Sequence, residues 1–435
     1  MKKGIFFVFI CAMACVVLSA CTNTSATGRV ETLETTDGSH KTIHSSWIEI
    51  SPTSYRQNIE VIKKIIGTEV KICLVMKADA YGHGIAILKQ EAVASNPAYI
   101  AAICNSEMRK IREEIIRQKK DIALLRIAPV LRDELIESIT DKLDVEEIIG
   151  SLDEAYMISS VAEELTRKLG CDIVINVHIN IETGMGRMGF RDIDDIKSAM
   201  RLPRLKVKGV MTHFSCAYQE GSSGEEATRK QAKEFDRVIA DLKLDKSIIR
   251  HIANSAATAR FPWARKDMVR VGSLTYAEDI EGLDPQHELK PVLTSYKSRV
   301  AIIEGGVPPH SPVSYDSLGY TRPKGFSTTA TVRVGYSTGF PEMAFSHNMM
   351  VLIKGRKFPV LGKTSMNMVV VDITDQDKEN PVKLGDEVVL IGKQGNEEIS
   401  LEGFAAKSQT AITQLIIMLG NANAITVTGI DEESR

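Results

Sequence analysis

The chain has 435 residues, of which 43% are hydrophobic. That is enough to bury a sizeable core and suggests two domains, or one large barrel with an addition. The formal net charge is −2 with both signs mixed along the chain, which excludes the basic footprint of a nucleic-acid-binding protein and reads as ordinary solvated faces.

The first twenty residues stand apart. Lys2 and Lys3 precede an apolar run from residue 4 to residue 18, too short to span a bilayer comfortably and laid out like a secretory signal. Leu18-Ser19-Ala20-Cys21 then has the form of a lipobox. This predicts a signal over 1–20 and a lipid on Cys21; a plain signal cut nearby is the alternative. Residues 21–45, rich in Ser, Thr and Gly, read as a flexible tether. The residue after Cys21 is not Asp, which points to a periplasmic enzyme sorted to the outer membrane.

Eight short apolar runs follow, at 70–76, 99–104, 122–127, 145–149, 173–179, 207–214, 248–253 and 268–274, separated by amphipathic segments such as 105–119, 151–169 and 225–244. This alternation predicts an α/β domain, a (β/α)8 barrel over 46–285, with an open doubly wound sheet as the rival. Barrel enzymes draw their active residues from the C-terminal ends of the strands, and Lys77, His213 and Ser255 each follow or end such a run. From about residue 286 the pattern changes to short strand-like runs broken by Gly, Pro and Asp: 295–304, 328–334, 348–353, 367–372 and 387–391. This predicts a C-terminal antiparallel β domain over 286–435. The early strand 47–50 is a candidate to join it.

The chemistry concentrates in Val75-Met76-Lys77-Ala78-Asp79-Ala80-Tyr81-Gly82-His83-Gly84. A lysine at the end of an apolar strand is costly to bury charged. Desolvation lowers its pKa and frees the amine as a nucleophile or imine former. This segment resembles the cofactor-lysine motif of alanine racemases, and the likeness runs from about residue 47 to about residue 425. The resemblance implies pyridoxal 5'-phosphate (PLP) as cofactor, bound covalently by Lys77, with Tyr81 on its phosphate.

Six further segments extend the resemblance. His251-Ile252-Ala253-Asn254-Ser255 resembles the phosphate-side turn, where Ser255 donates. In Met268-Val269-Arg270-Val271-Gly272-Ser273 the family pattern puts Arg270 against the pyridine nitrogen and the amides of Gly272 and Ser273 on the phosphate. An arginine is no useful acid at neutral pH, so it leaves that nitrogen unprotonated and tunes the cofactor's electronics. His251 is expected to orient Arg270, and His213 to pack on the ring. Ser314-Tyr315-Asp316 matches the second catalytic residue: racemisation needs a base on each face of Cα, and the resemblance implies Lys77 on one and Tyr315 of a partner subunit on the other. It thereby implies a homodimer with a shared site. Gly335-Tyr336-Ser337 and Thr364-Ser365-Met366-Asn367 resemble partner-side segments, with Tyr336 and Met366 bordering the substrate carboxylate. His178 to Arg187 resembles a barrel-mouth segment in which Arg187 reaches the cofactor's phenolic oxygen and the substrate carboxylate.

The departures from the alanine-racemase pattern are informative. This chain has Asn180 where a lysine is usual, Asn367 for an aspartate, Thr413 for a tyrosine that reaches the phosphate, and Arg126 for an apolar residue. With export, and with a Cys73–Cys104 pair, these resemble the periplasmic broad-spectrum amino-acid racemases. If the first two runs are adjacent strands about 4.8 Å apart, Cys73 and Cys104 suit a disulfide; two buried thiols are the alternative. Cys171 and Cys216 read as small core residues, and no spacing suggests a metal site. The segment from Glu182 to Met188 is closer to the alanine-racemase form. The expected activity is racemisation of several amino acids, including Lys, Arg or Ala, with binding of Asn180 and Arg126 to substrate. An alanine-specific racemase is the alternative. A PLP decarboxylase is disfavoured by Arg270, and a non-catalytic PLP-binding protein by the β domain; an exported structural lipoprotein would be colourless.

Overall fold

The computed structural model describes residues 32–34, 40–42, 44–278, 282–284 and 286–428. The signal-like segment and Cys21 lie outside the described residues. Within the 21–45 stretch, Thr32–Glu34 and His40–Thr42 pair as a small antiparallel ribbon. Among the described residues no helix is long and apolar enough to cross a membrane.

From Ser45 onward the chain forms one compact unit. Strand β1 (Ser46–Ile50) leads into a helix, Pro52–Ile66, started by the Ser51 side chain accepting from Ser54 N–H and by a proline in its first turn. Its buried residues Tyr55, Ile59, Ile62 and Ile66 recur every three or four positions, so one apolar stripe faces the barrel. The barrel strands follow: β2 (Lys71–Val75), β3 (Tyr99–Ala102), β4 (Ala123–Arg126), β5 (Val145–Ile149), β6 (Ile175–Asn180), β7 (Leu205–Met211), β8 (Ile249–His251) and β9 (Met268–Val271). They pair in parallel in the order β8, β7, β6, β5, β4, β3, β2, β9. The remaining seam closes through two amides, Asp267 N–H donating to Arg250 O at 3.1 Å and Arg270 N–H to Ala253 O at 3.0 Å. That closure removes the open doubly wound sheet. Alternate residues face opposite ways. Leu74, Ile100 and Leu124 pack outward under the helices, while Cys73, Val75, Tyr99, Ala101 and Leu125 fill the barrel interior. Both faces are buried, which is why these strands read as continuous apolar runs.

The second domain is built on β10 (Leu293–Val307), which pairs with both Ser327–Val332 and Glu387–Gln394. The connections through Val369–Asp372, Arg356–Leu361 and Met350–Ile353 complete a closed antiparallel ring of six strands. Arg356–Leu361 is not legible in the sequence because Pro359 interrupts it. β1 pairs antiparallel with β10, and Ala424–Val427 runs parallel to β1. Residues 46–50 therefore belong to the β-domain sheet and not to the barrel, which amends the 46–285 boundary at its N-terminal end.

Two expectations fail on geometry. Cys73 and Cys104 are free. The register of β2 on β3 sets Cys73 opposite Tyr99, so Cys104 lies five residues further along, roughly 16 Å at about 3.3 Å per residue, well beyond disulfide reach. Cys171 is exposed and is not a core residue.

Candidate active site

Lys77 is the second residue after β2, and the chain winds the wrong way immediately after it. Ala78, Asp79, Ala80 and Tyr81 have φ of 54°, 51°, 58° and 56°, a left-handed turn that costs L-residues about 1–2 kcal/mol each. The surroundings enforce it. The buried Glu107 carboxylate accepts the Asp79 amide, and Asp79 Oδ1 accepts the Ile85 amide at 3.0 Å. The C-terminal helix Ile412–Ala422 lies directly on the end of the turn. A Cβ on Gly420 would stand 1.9 Å from Gly82 O, and one on Gly82 2.7 Å from Ile416 O. This glycine-to-glycine crossing carries Thr413 to the barrel mouth.

The mouth holds a cavity of about 570 Å³ whose wall includes Lys77, Tyr81, Asn180, Arg187 and His213. Ser255, Arg270, Gly272, Ser273 and Thr413 complete it. Ten of the expected site residues thus converge. A hollow of about 670 Å³ on the barrel flank, beside Arg56, Glu60 and His287, contains none of them. Burial, and then the Arg187 charge, hold the Lys77 amine below its ordinary pKa, with Glu107 opposing. Burial pushes the Tyr81 phenol well up, helped by Tyr218 and Glu278, so it stays a proton donor. Burial and the cations of Arg270, Arg187 and Lys77 bring His213 down to about 3, so its ring is neutral.

Arg270 is 5% exposed and clamped. It donates to His251 O at 2.6 Å and Thr212 O at 2.8 Å, and its NH1 is 3.0 Å from His251 Nδ1. The chain continues inside the barrel: His251 Nε2 to His178 Nδ1 at 2.8 Å, and His178 Nε2 to Glu146 Oε2 at 2.7 Å. A guanidinium only donates, so His251 Nδ1 accepts from Arg270 and each imidazole in turn donates toward Glu146. His251 was expected from sequence. His178 and Glu146 were not, although an acidic pair in the buried run 145–149 was a signal.

On the opposite side, Ser255 Oγ accepts the amides of Gly272 at 3.0 Å and Leu274 at 3.3 Å, which leaves its own proton to donate. The Gly272 amide is thereby engaged with Ser255. A Cβ on Gly272 would stand 2.3 Å from Tyr81 Oη, so only glycine lets the phenol lie there. The Ser273 hydroxyl is 2.5 Å from Tyr218 Oη; sequence reasoning missed Tyr218. Thr413 lines the cavity, but its hydroxyl donates to Glu278 Oε2 at 3.0 Å. Asn180 donates to Met188 O at 2.9 Å, and its Oδ1 has no partner among the described residues. A weakly basic amine, a fixed guanidinium and a set of hydroxyls around one cavity fit PLP: the amine suits its aldehyde, Arg270 its ring nitrogen, and the hydroxyls its phosphate.

The remaining expected residues lie elsewhere. Arg126 is fully buried and outside the cavity wall. Four of its five N–H groups donate, to Glu147, Glu134, Asn105 and Ile103 O. This corrects its assignment to substrate. Burial raises its partner Glu147 to about 7, against the pull of Arg126. Tyr315, Tyr336 and Met366 are 61%, 45% and 54% exposed on the β domain and do not line the chain's own cavity. Tyr336 N–H donates to Ser365 O and Ser337 N–H to Met366 O. Tyr315 is presented by a corner in which Ser314, Asp316 and Ser317 all have positive φ, a strained backbone of the kind found at functional sites. Among the described residues no cluster of three or more His, Cys, Asp or Glu is arranged to hold a metal ion.

Residues 50–279 match the alanine racemase N-terminal domain, and residues 293–426 the alanine racemase C-terminal domain. The chain belongs to the alanine racemase family. It is an amino-acid racemase, and like the family it depends on PLP. The chain is 32% identical over 388 residues to a lysine racemase of Proteus mirabilis, covering 88% of this chain and 89% of that protein. It is 33% identical over 386 residues to a broad specificity amino-acid racemase of Pseudomonas taetrolens, covering 87% and 88%. Among solved structures, an alanine racemase of Clostridium difficile 630 superposes with a TM-score of 0.75 at 30% identity, over 87% of this chain and 94% of that one.

Proposed function

We propose that this racemase acts on several amino acids, basic ones included, through two bases supplied by two subunits. Bound at the barrel mouth, PLP supplies the electron sink that makes the substrate Cα–H acidic. The chain's own groups do the rest. The Lys77 amine, weakened by burial, takes or returns a proton on one face of Cα. The phenol of a partner subunit's Tyr315 serves the other. Arg270, brought down to about 10 by burial, remains a cation at neutral pH and offers no proton to a ring nitrogen. Arg187, in a loop whose amides at Gly184 and Gly186 are held by Glu182, fixes the substrate carboxylate.

The observation that carries the breadth of substrate is Thr413: the crossing helix delivers a short side chain to the cavity and turns its hydroxyl onto Glu278, leaving the mouth open. The lysine and broad-specificity names of two relatives agree with it. The alanine-specific reading draws support from the segment Glu182 to Met188. A chirality assay over a panel of L-amino acids separates the two: turnover of lysine and arginine supports breadth, and turnover of alanine alone overturns it.

The shared site rests on the exposed Tyr315, Tyr336 and Met366, which have no part in their own chain's cavity. Mixing Lys77→Ala protein with Tyr315→Phe protein recovers part of the activity if subunits pair in this way. Export to the periplasm, with a lipid on Cys21 and attachment to the outer membrane, rests on Lys2, Lys3, the apolar run and the lipobox-like Leu18 to Cys21. Fatty-acid labelling that is lost in Cys21→Ala tests it.

A further inference from the structure

We infer that Tyr218 is a further ligand of the cofactor's phosphate group; this rests on PLP occupying the barrel mouth. Tyr218 lines the cavity, and its hydroxyl is 2.5 Å from Ser273 Oγ, next to the place where Tyr81 Oη lies over Gly272 and where Ser255 keeps a proton to donate. A phosphate dianion needs donors, and hydrogen bonds to it are charge-assisted. The two hydroxyls carry two protons and only one lies between their oxygens, so the pair has a second to direct at an anion.

The phenol is also fixed in place. Arg260, at the end of the helix that Ser255 begins, donates through NH1 to Ala217 O and to Gln219 O, both at 2.8 Å. One guanidinium thus clamps the backbone on either side of Tyr218. The Gln219 amide adds a bond to Cys216 O at 3.0 Å. The helix that carries Ser255 therefore also sets Tyr218, and the two hydroxyls keep a constant relation. Thr413, the other hydroxyl that reaches the wall from outside the barrel, is turned to Glu278 instead.

The test compares PLP with pyridoxal, which lacks the phosphate, in spectroscopic titrations of apoprotein. Tyr218→Phe is expected to weaken PLP roughly tenfold or more, as the loss of one hydrogen bond to a charged group does, and to leave pyridoxal affinity unchanged. Arg260→Ala, which frees the loop but keeps the phenol, should weaken PLP in the same selective way. The 31P resonance of bound PLP should shift between wild type and Tyr218→Phe. Equal losses for PLP and pyridoxal would assign Tyr218 a merely structural role and overturn the inference, as would unchanged PLP affinity. Wild-type protein that binds neither compound overturns the cofactor assignment itself, and this inference with it.

Discussion

The Glu107 carboxylate accepts two backbone amides at once, Asp79 N–H at 2.9 Å and Ile103 N–H at 3.1 Å. It thereby ties the left-handed turn after Lys77 to the end of the neighbouring strand. An amide side chain would turn an NH2 toward one of these donors. Glu107→Gln should therefore destabilise the protein by about 1–3 kcal/mol and lower kcat. Glu107 also raises the Lys77 pKa, so its loss should move the Lys77 limb of the pH–rate profile to lower pH. An unchanged profile would show that Glu107 does not act on the amine.

Three histidines set a pH dependence of stability: His83 and His251, which are buried, and His213, half-buried on the cavity wall. Burial brings His83 down to about 4, His213 to about 3, and His251 well below its ordinary value. Each is neutral in the folded protein and takes up a proton near pH 6.5 when unfolded. Their contribution is complete above about pH 6.5 and is lost as pH falls toward the folded values, by up to about 1.4 kcal/mol per pH unit for each. Urea midpoints measured at pH 7 and pH 5 should fall accordingly. Equal midpoints would mean that these rings are already charged in the fold.

The Gly82–Gly420 crossing leaves no room for a methyl group. Gly420→Ala must push the helix Ile412–Ala422 off the turn, at a cost of about 1–3 kcal/mol for overpacking. PLP affinity should fall with it, because Tyr81 ends the same turn. A melting curve and a PLP titration check both effects.

Refilling the mouth should narrow the substrate range. Thr413→Tyr replaces a short hydroxyl with a long phenol and removes the bond to Glu278. The ratio of kcat/KM for lysine to that for alanine is expected to drop roughly tenfold. A ratio that stays constant would detach Thr413 from specificity.

Much of this site was legible because its residues sit at strand ends, and an apolar run followed by a polar residue is a local pattern. Lys77, His213 and Ser255 each follow or end such a run, whereas Arg270 lies inside its run and its role came from the family resemblance. Tyr218, Glu107 and Glu278 were not legible, because each acts through a neighbour far away in the chain. Arg126 shows the converse error: it ends a strand as Lys77 nearly does, but Glu147, Glu134, Asn105 and Ile103 O take four of its five N–H groups, and no linear pattern reports that.

By itself the sequence determined the eight apolar runs, the change to short strands near residue 286, and the lysine segment that marks the family. These depend on spacing and residue type, which are properties of neighbours along the chain. Only the tertiary structure decided the rest. Lys-Ala-Asp-Ala-Tyr consists of residues that locally favour ordinary right-handed backbone; it winds left-handed because Glu107 and the helix beyond Ile412 hold it so. Cys73 faces Tyr99 and not Cys104 because strand register comes from pairing across the barrel. Residues 46–50 belong to the distant β domain because β10 offers them an edge. In each case the deciding energy lies in contacts between segments remote in the chain.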